Sequence, residues 1–208
     1  MKKETLSKEA KRRIRRMQFT AIISLAIVMV LIFRAKDFVT AVLSKDDSYE
    51  IRYEEDTDPA GNRKVYSLYK NNERMWDIDY NRYAVTDENG NQDIRYCVLM
   101  DEAKNLSYAI LLGAMLIIAI VVAVASADGT PFTKKNARRI RWIGALQFGL
   151  SIIPGLVWFL MSFFRFEHTS IRLTMTSFYM FAIGVAIMIL AQVFDHGVRL
   201  QEDVDSIA

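Results

Sequence analysis

The sequence predicts an all-α membrane protein, a four-helix bundle with a small extracytoplasmic β-rich insertion between the first and second transmembrane helices. Four apolar stretches are long enough to cross a bilayer, and basic residues are concentrated in two of the segments that flank them. A polar segment that contains short runs rich in Tyr, Val and Ile separates the first two stretches. The apolar stretches are Met17–Phe33, Asn105–Ala127, Trp142–Phe164 and Leu173–Phe194.

The length of these stretches is what predicts four spans. The last three contain 23, 23 and 22 residues without Asp, Glu, Lys, Arg or His, and about 20 helical residues cross a hydrocarbon core. The first has 17 residues, but Arg34 and Lys36 can reach the interface, so the helix can continue toward Leu43. A cleaved signal peptide is the alternative. An uncleaved anchor is favoured, because the apolar run is too long and lacks a small-x-small site before Arg34.

The distribution of basic residues predicts the orientation, because Lys and Arg in short loops remain cytoplasmic. The N-terminal tail carries eight Lys and Arg, and the loop between the second and third spans carries five. The segment Lys45–Lys104 instead has 9 basic and 15 acidic residues. The chain is therefore predicted to be a multi-pass protein of the cell membrane with both termini cytoplasmic.

The predicted organisation has nine segments. They are a basic cytoplasmic tail (1–16), transmembrane helix 1 with its outer extension (17–43), an extracytoplasmic β-rich domain (44–104), transmembrane helix 2 (105–127), a basic cytoplasmic loop (128–141), transmembrane helix 3 (142–164), an outer turn (165–172), transmembrane helix 4 (173–194) and an acidic cytoplasmic tail (195–208).

The β-rich domain is predicted from short runs of Tyr, Val and Ile between turn motifs. Asn-Gly between two such runs, at Glu88–Asn91, is a strong hairpin motif, and Asp58–Asn62 and Asn71–Asn72 are further turns. Cys97 is the only cysteine, so no intramolecular disulfide can stabilise so small a domain, and we expect support from the helix ends or a second subunit. The predicted strands are Tyr49–Tyr53, Val65–Tyr69, Met75–Tyr80, Tyr83–Thr86 and Ile94–Met100.

Acidic residues in this domain, among them Glu54, Glu55, Asp56 and Asp58, could be read as a cation site, but they lack the offsets of a hard-ion loop and favour a solvated face. His168 and His196 are predicted on opposite sides of the membrane, so they cannot share a metal ion. Phosphate loops and nucleophile elbows are also missing from the sequence. We therefore expect no enzymatic activity, no cofactor and no metal site.

The residues that stand out within the spans are suited to helix packing and not to catalysis or ion transport. Small side chains at four-residue spacing allow helices to approach closely, and two glutamines are the most polar groups within the spans. Pro154 is expected to kink the third span. The spans contain no ionisable residue, which argues against a pore or transporter. The predicted packing residues are Ala119, Ala123, Ala127, Gln147, Gly149, Ala182, Ala186 and Gln192.

The cytoplasmic loop and the C-terminal tail hold the candidate functional residues. Thr133 is a plausible N-cap, and Phe132 can pack on the first turn of the helix that follows. Opposite charges on the loop and the tail are expected to meet, with Asp203 and Asp205 pairing with Lys135, Arg138 or Arg139. The candidate residues for binding a partner or lipid headgroups are Phe132, Thr133, Lys135, Arg138, Arg139, Glu202, Asp203 and Asp205.

Two motifs in these segments resemble a known family. P-F-T-x-x-N-A-R-R-I-R-x-I-G occupies Pro131–Gly144, and F-x-x-G-x-x-L-Q-E-D-x-D occupies Phe194–Asp205. Both are similar to domain of unknown function family 2975, whose members are bacterial four-span membrane proteins. The resemblance covers the four-span layout, although the outer domain is less typical. It implies no established enzymatic activity, and many members are encoded beside a small helix-turn-helix transcription regulator.

These observations favour a non-catalytic bacterial inner-membrane protein that senses or regulates through its cytoplasmic face. The expected partners are the lipid bilayer and a small soluble regulator, and a homo-oligomer remains open; direct nucleic-acid binding is not expected. One alternative is an accessory or immunity-type protein whose outer domain binds an extracellular ligand or a larger membrane complex. Another is a purely structural role, in which the loop binds anionic lipid and the tail caps the loop. The gene neighbourhood would separate the first two.

The topology prediction is testable by cysteine labelling of intact cells with a membrane-impermeant reagent. A thiol introduced at Asn89 should react, because the β-rich domain is predicted to lie outside. Thiols introduced at Ser7 or Ser206 should stay protected until the cells are opened. Reaction of Ser206→Cys in intact cells would mean an odd number of spans and would overturn the arrangement.

Overall fold

The computed structural model describes residues 2–45, 48–58, 61–83, 86, 90, 92–128, 132–166 and 175–207. Four long apolar helices pack together, and a small three-stranded antiparallel sheet lies between the first and the second of them along the chain. The elements are α1 (Lys2–Leu43), β1 (Tyr49–Asp58), β2 (Gly61–Lys70), β3 (Glu73–Ile78), α2 (Tyr80–Tyr83), α3 (Ile94–Asp128), α4 (Lys134–Arg165) and α5 (Met175–Ile207).

Each long helix is long and apolar enough to cross a membrane, as predicted. Only 6% of the apolar part of α1 and of α3 is buried inside the molecule, against 22% for α4 and 11% for α5. Apolar surface exposed on this scale is typical of helices that face lipid. The chain is therefore a multi-pass membrane protein.

The helices extend beyond the apolar stretches that predicted them. Helix α3 begins at Ile94, well before the predicted span, and α5 continues to Ile207 through most of the acidic tail. Helix α4 contains the buried Pro154, whose missing N–H removes one backbone hydrogen bond from the preceding turn. The long helices consequently carry polar ends outside the apolar core.

By its internal packing the chain divides into two compact units. The span unit contains Met1–Phe33, Tyr108–Ile153 and Leu173–Ala208, and the sheet unit contains Arg34–Ser107 and Pro154–Arg172. The sheet unit thus includes the end of α1, the start of α3 and the end of α4 as well as the strands.

The sheet has the order β1-β2-β3, with both pairs antiparallel. Strands β1 and β2 pair from Tyr49 opposite Lys70 to Asp58 opposite Gly61. Asn71 and Asn72 connect β2 to β3 with φ values of 49° and 73°, the left-handed conformations that a two-residue hairpin turn requires. The turn predicted at Asn71–Asn72 is thereby confirmed.

The prediction of a strand at Ile94–Met100 is wrong. Of the strand predicted at Tyr83–Thr86, residues 84–85 lie outside the described residues, and Thr86 forms an isolated antiparallel bridge with Gln92. Tyr83 ends the short helix α2, and Ile94–Met100 forms the first turns of α3. Asp93 caps this helix: its side chain accepts a hydrogen bond from the backbone N–H of Tyr96 at 2.9 Å. The cap and the burial of Val98 overcome the strand preference of β-branched residues. Of the Asn-Gly motif at Glu88–Asn91, only Gly90 lies within the described residues.

A buried cluster supports the sheet against the helix ends, as expected from its small size. Leu68 of β2 is fully buried. It belongs to a cluster with Ala41 near the end of α1, Val98 in α3 and Phe166 just after α4. Cys97 is also buried in this cluster, at 2% exposure. Helix ends therefore supply the core that three short strands lack.

The turn between β2 and β3 generates a test of backbone strain at Asn72. Asn72→Val should destabilise the turn by about 1–2 kcal/mol relative to Asn72→Gly, because only Gly tolerates the positive φ without strain. Both variants lose the side-chain hydrogen bond from Arg52 to Asn72, so their difference isolates the backbone. Hydrogen–deuterium exchange in β2 and β3 should be faster in the Val variant. Equal exchange rates in the Val and Gly variants would contradict the strained, positive φ assigned to Asn72.

Candidate functional site

Thr133 starts α4 in the way that the sequence predicts. Its side-chain Oγ1 accepts a hydrogen bond from the backbone N–H of Asn136 at 3.1 Å, and its carbonyl accepts one from Ala137 at 3.0 Å. The N-cap satisfies one of the backbone N–H groups that have no partner within the helix. The basic residues that follow are thereby held on a regular helix at the edge of the third span.

Asn136 connects the start of α4 to the end of α3. Its side chain is 1% exposed; its Nδ2 donates to Ser126 Oγ at 3.3 Å, and its Oδ1 accepts from Arg139 Nη1 at 3.1 Å. Burial of an amide is costly unless it is hydrogen-bonded in this way. The sequence alone did not single out Asn136 beyond its place in the motif.

Helix α1 is fastened to the same end of α3 by an arginine. Arg16 Nη1 donates to the backbone carbonyl of Ala127 at 3.2 Å. The last carbonyls of a helix lack partners within the helix, and a cation there also interacts favourably with the helix dipole. One basic residue of the N-terminal tail therefore has a structural role besides its effect on topology.

Phe132 packs against α5 rather than standing free in the loop. Its ring lies 5.2 Å from the ring of Phe194, centroid to centroid. A Cβ atom added to Gly197 would lie 2.7 Å from Phe132 Cδ1, which is closer than real side chains come. Phe194 and Gly197 are one helical turn apart and lie on the same side of α5. The F-x-x-G spacing of the second motif therefore forms the surface on which Phe132 of the first motif packs.

Opposite charges on α4 and α5 meet, as the sequence predicts. The ion pairs found among the described residues differ from the predicted ones. Lys134 Nζ lies 2.8 Å from Glu202 Oε1, and Arg141 pairs with Asp195. These side chains are half or more exposed except Asp195, at 34%. Exposed pairs contribute only about 0–1 kcal/mol each, so they orient the tail more than they stabilise it.

The remaining candidate residues are divided between packing and exposure. Arg139 is half-buried on Asn136, whereas Lys135, Arg138, Glu202 and Asp203 are exposed. The side chain of Asp205 lies outside the described residues. Beside the exposed acids, Leu200 and Val204 of α5 are also exposed, at 54% and 65%. The exposed part of α5 that carries Leu200, Glu202, Asp203 and Val204 is called the tail surface below.

The predicted packing residues fall into two groups. Gln147 is buried and donates from Nε2 to the carbonyl of Met180 at 3.1 Å, which joins α4 to α5. Gly149 lies beside Leu111 of α3. Close approach also occurs at Gly144 against Met188, which small-residue spacing had not indicated. Exposed side chains are found at Ala119, Ala123, Ala127, Ala182, Ala186 and Gln192.

Comparison with known proteins identifies one similarity. The family described as Protein of unknown function (DUF2975) matches residues 87–207. This region is more than half of the chain and includes α3, α4, α5 and both motifs, but not the three strands. No curated protein and no solved structure matches the chain.

The contact between Phe132 and Gly197 generates a test of this packing. Gly197→Ala should destabilise the protein by about 1–3 kcal/mol, because the added methyl group overlaps the Phe132 ring. Gly155→Ala is the matched control, since nothing lies within 4 Å of its Cβ position, and it should be neutral or stabilising. Unfolding in detergent would measure both. The cost of Gly197→Ala should shrink in a Phe132→Ala background; an unchanged cost would refute the contact.

Proposed function

The chain belongs to the DUF2975 family of membrane proteins of unknown function, and within this family we propose that it is a non-catalytic regulatory protein of the bacterial inner membrane. It acts by holding a soluble cytoplasmic partner on the tail surface. The observation that carries the proposal is the helical continuation of α5 beyond its apolar stretch, with apolar and acidic side chains exposed together.

The continuation of α5 has the pattern of a recognition helix. Leu200 and Val204 are four residues apart, so they lie on one face of the helix, with Glu202 and Asp203 nearby in the sequence. Both apolar side chains are more than half exposed. An amphipathic helix of this kind binds by laying its apolar side chains into a groove of the partner, while the flanking charges set the orientation.

The tail surface is also held in place before any partner arrives. The Arg141–Asp195 pair and the packing of Phe132 on Gly197 fasten α5 to α4, and Val198 is buried, at 5% exposure. A surface that is already ordered loses less conformational entropy on binding than a free tail would. This organisation supports a docking role over a tail that merely neutralises the basic loop.

The acidic character of the tail indicates the chemistry of the partner. A groove with basic residues around an apolar floor would complement Leu200, Val204, Glu202 and Asp203. The helix-turn-helix regulators that the family resemblance implies are DNA-binding proteins, and such proteins carry basic surfaces. Docking of a regulator through its basic surface would compete with DNA and hold the regulator at the membrane.

The basic residues of α4 have a second proposed role at the membrane surface. Lys135 and Arg138 are exposed, and Lys or Arg beside a bilayer is attracted to anionic lipid by about 1 kcal/mol each. Together with the basic N-terminal tail, they support cytoplasmic termini. In this arrangement the basic residues face lipid headgroups and the acidic helix faces the partner.

Neutralising the acidic residues of the tail tests the docking proposal. The triple variant Glu202→Gln, Asp203→Asn and Asp205→Asn should insert and accumulate normally, because the ion pair that it breaks among the described residues, Lys134–Glu202, is exposed. It should recover the soluble partner at least about tenfold less well in crosslinked pull-downs from native membranes, as expected when several charge pairs across an interface are lost. Quantitative mass spectrometry of the recovered proteins is the measurement.

The matched control removes three negative charges from the sheet unit instead. Glu54→Gln, Glu55→Gln and Asp56→Asn lie in β1 and should leave recovery of the partner unchanged. A further variant, Leu200→Ser with Val204→Ser, should lose the partner without any change of charge. If the acidic triple variant recovers the same soluble partner at normal protein levels, the docking proposal is wrong and the tail is structural.

A further inference from the structure

A cavity of about 310 Å³ lies within the sheet unit, far along the chain from the tail surface. It is lined by the end of α1, the start of α3 and side chains of the sheet, and it is open on one side. Its lining combines charged groups with aromatic and aliphatic ones. Among the lining residues are Arg34, Asp37, Lys70, Trp76, Asp101 and Glu102.

Glu102 is the unusual member of this lining. The residue is only 6% exposed, and its Oε2 atom is buried without a hydrogen-bond partner among the described residues. Leaving a buried carboxylate oxygen without a donor costs more than leaving a neutral group unpaired. An unsatisfied buried group in a native structure calls for an explanation, and a ligand that supplies the missing donor is one.

Two other carboxylates in the cavity have partners from the protein. Asp101 Oδ2 accepts a hydrogen bond from the Tyr83 hydroxyl at 2.8 Å. Asp37 Oδ2 lies 3.8 Å from Arg34 Nη1, one helical turn away on α1. Their charges add to the negative potential around Glu102, but one oxygen atom of each is already engaged by a group of the protein.

Lys70, which with Arg34 supplies the positive charge of the lining, also has partners within the protein. Lys70 Nζ donates to Ser44 Oγ at 2.9 Å and lies 5.1 Å from the centroid of the Tyr49 ring. It is therefore held toward the end of α1 by groups other than Glu102.

We propose that this cavity binds a primary ammonium group, with the Glu102 carboxylate as its partner. An ammonium carries one positive charge and three hydrogen-bond donors, which suits one carboxylate with a buried unpartnered oxygen. A divalent cation would instead require six or more oxygen ligands around it. Trp76, which also lines the cavity, has the kind of aromatic face that attracts a cation and covers the carbon part of its molecule.

The ammonium group has two chemical sources beside a membrane. One is a small free amine such as ethanolamine, and the other is the headgroup of phosphatidylethanolamine. Both present the same group to Glu102, and the lipid adds a phosphate that the Arg34 guanidinium could bind. The site is proposed for this shared chemistry, and separate measurements distinguish the sources.

The free-amine arm uses the full-length protein in an uncharged detergent and ligand-detected NMR titrations. Ethanolamine is compared with ethylene glycol, which lacks the charge, and with choline, which keeps the charge but has no N–H donor. Ethanolamine should bind at least about tenfold more tightly than either, the amount expected for a charge-assisted hydrogen bond. This comparison within the wild-type protein does not depend on any variant folding.

The lipid arm uses nanodiscs that contain equal amounts of phosphatidylethanolamine and phosphatidylcholine, followed by native mass spectrometry. The wild-type protein should retain phosphatidylethanolamine in preference to phosphatidylcholine. If the protein prefers phosphatidylethanolamine over phosphatidylcholine but does not prefer free ethanolamine, the lipid headgroup is the source of the ammonium. If it prefers ethanolamine over its analogues but shows no lipid preference, the free amine is the source.

The variant Glu102→Gln keeps the shape of the side chain, removes its charge and should abolish the preference in whichever arm shows it. Glu50→Gln is the matched control, because Glu50 is an exposed glutamate of β1 in the same unit, paired with Arg52 at 2.7 Å, and it should change nothing. The proposal is overturned if neither arm shows a preference for the primary ammonium, or if Glu102→Gln retains it. Binding of Ca²⁺ through Glu102 without any amine preference would overturn it too.

Discussion

The bilayer imposes the constraint on which the rest of this structure depends, because its hydrocarbon core offers no hydrogen-bond partners to a polypeptide backbone. The chain meets this constraint with four long helices, and the turns among the described residues lie outside them. Polar interactions are consequently concentrated at the helix ends. Thr133, Asn136 and Asp93 all satisfy backbone or side-chain groups there, where helices leave several N–H and C=O groups unpaired.

The span unit and the sheet unit satisfy their polar groups differently. In the span unit, short polar contacts and one aromatic seat join α3, α4 and α5: Ser126 with Asn136, Phe132 with Gly197, and Arg141 with Asp195. In the sheet unit, the end of α1 and the start of α3 contribute to a buried apolar cluster with the strands. The first arrangement leaves charged residues exposed, whereas the second encloses a carboxylate. These differences underlie the separate proposals for docking and for ammonium binding.

Much of the candidate site was accessible from the sequence because its parts are local. The Thr133 N-cap follows from a residue type at a helix start, and the opposite charges of loop and tail follow from composition. The partners of these charges did not follow, since which side chains face one another depends on the rotation of α4 against α5. That rotation brings Lys134 to Glu202 and leaves Lys135 exposed. Glu102 was passed over for a related reason: its burial depends on residues of α1 and the sheet that are distant in the sequence.

The sequence by itself determined the number of spans, their approximate limits and the turn at Asn71–Asn72, because hydrophobic length and positive-φ preferences are properties of short segments. Whether Ile94–Met100 forms a strand or a helix depends on the tertiary structure, in which it is the start of α3. Its β-branched and aromatic residues suit a strand, but capping by Asp93 and burial of Val98 and Met100 favour the start of a helix. Tertiary structure also decided which small residues touch. Gly144 and Gly197 meet large side chains of other segments, whereas Ala119 and Ala123 remain on an exposed face, because contact between helices depends on how they are rotated and not on spacing alone.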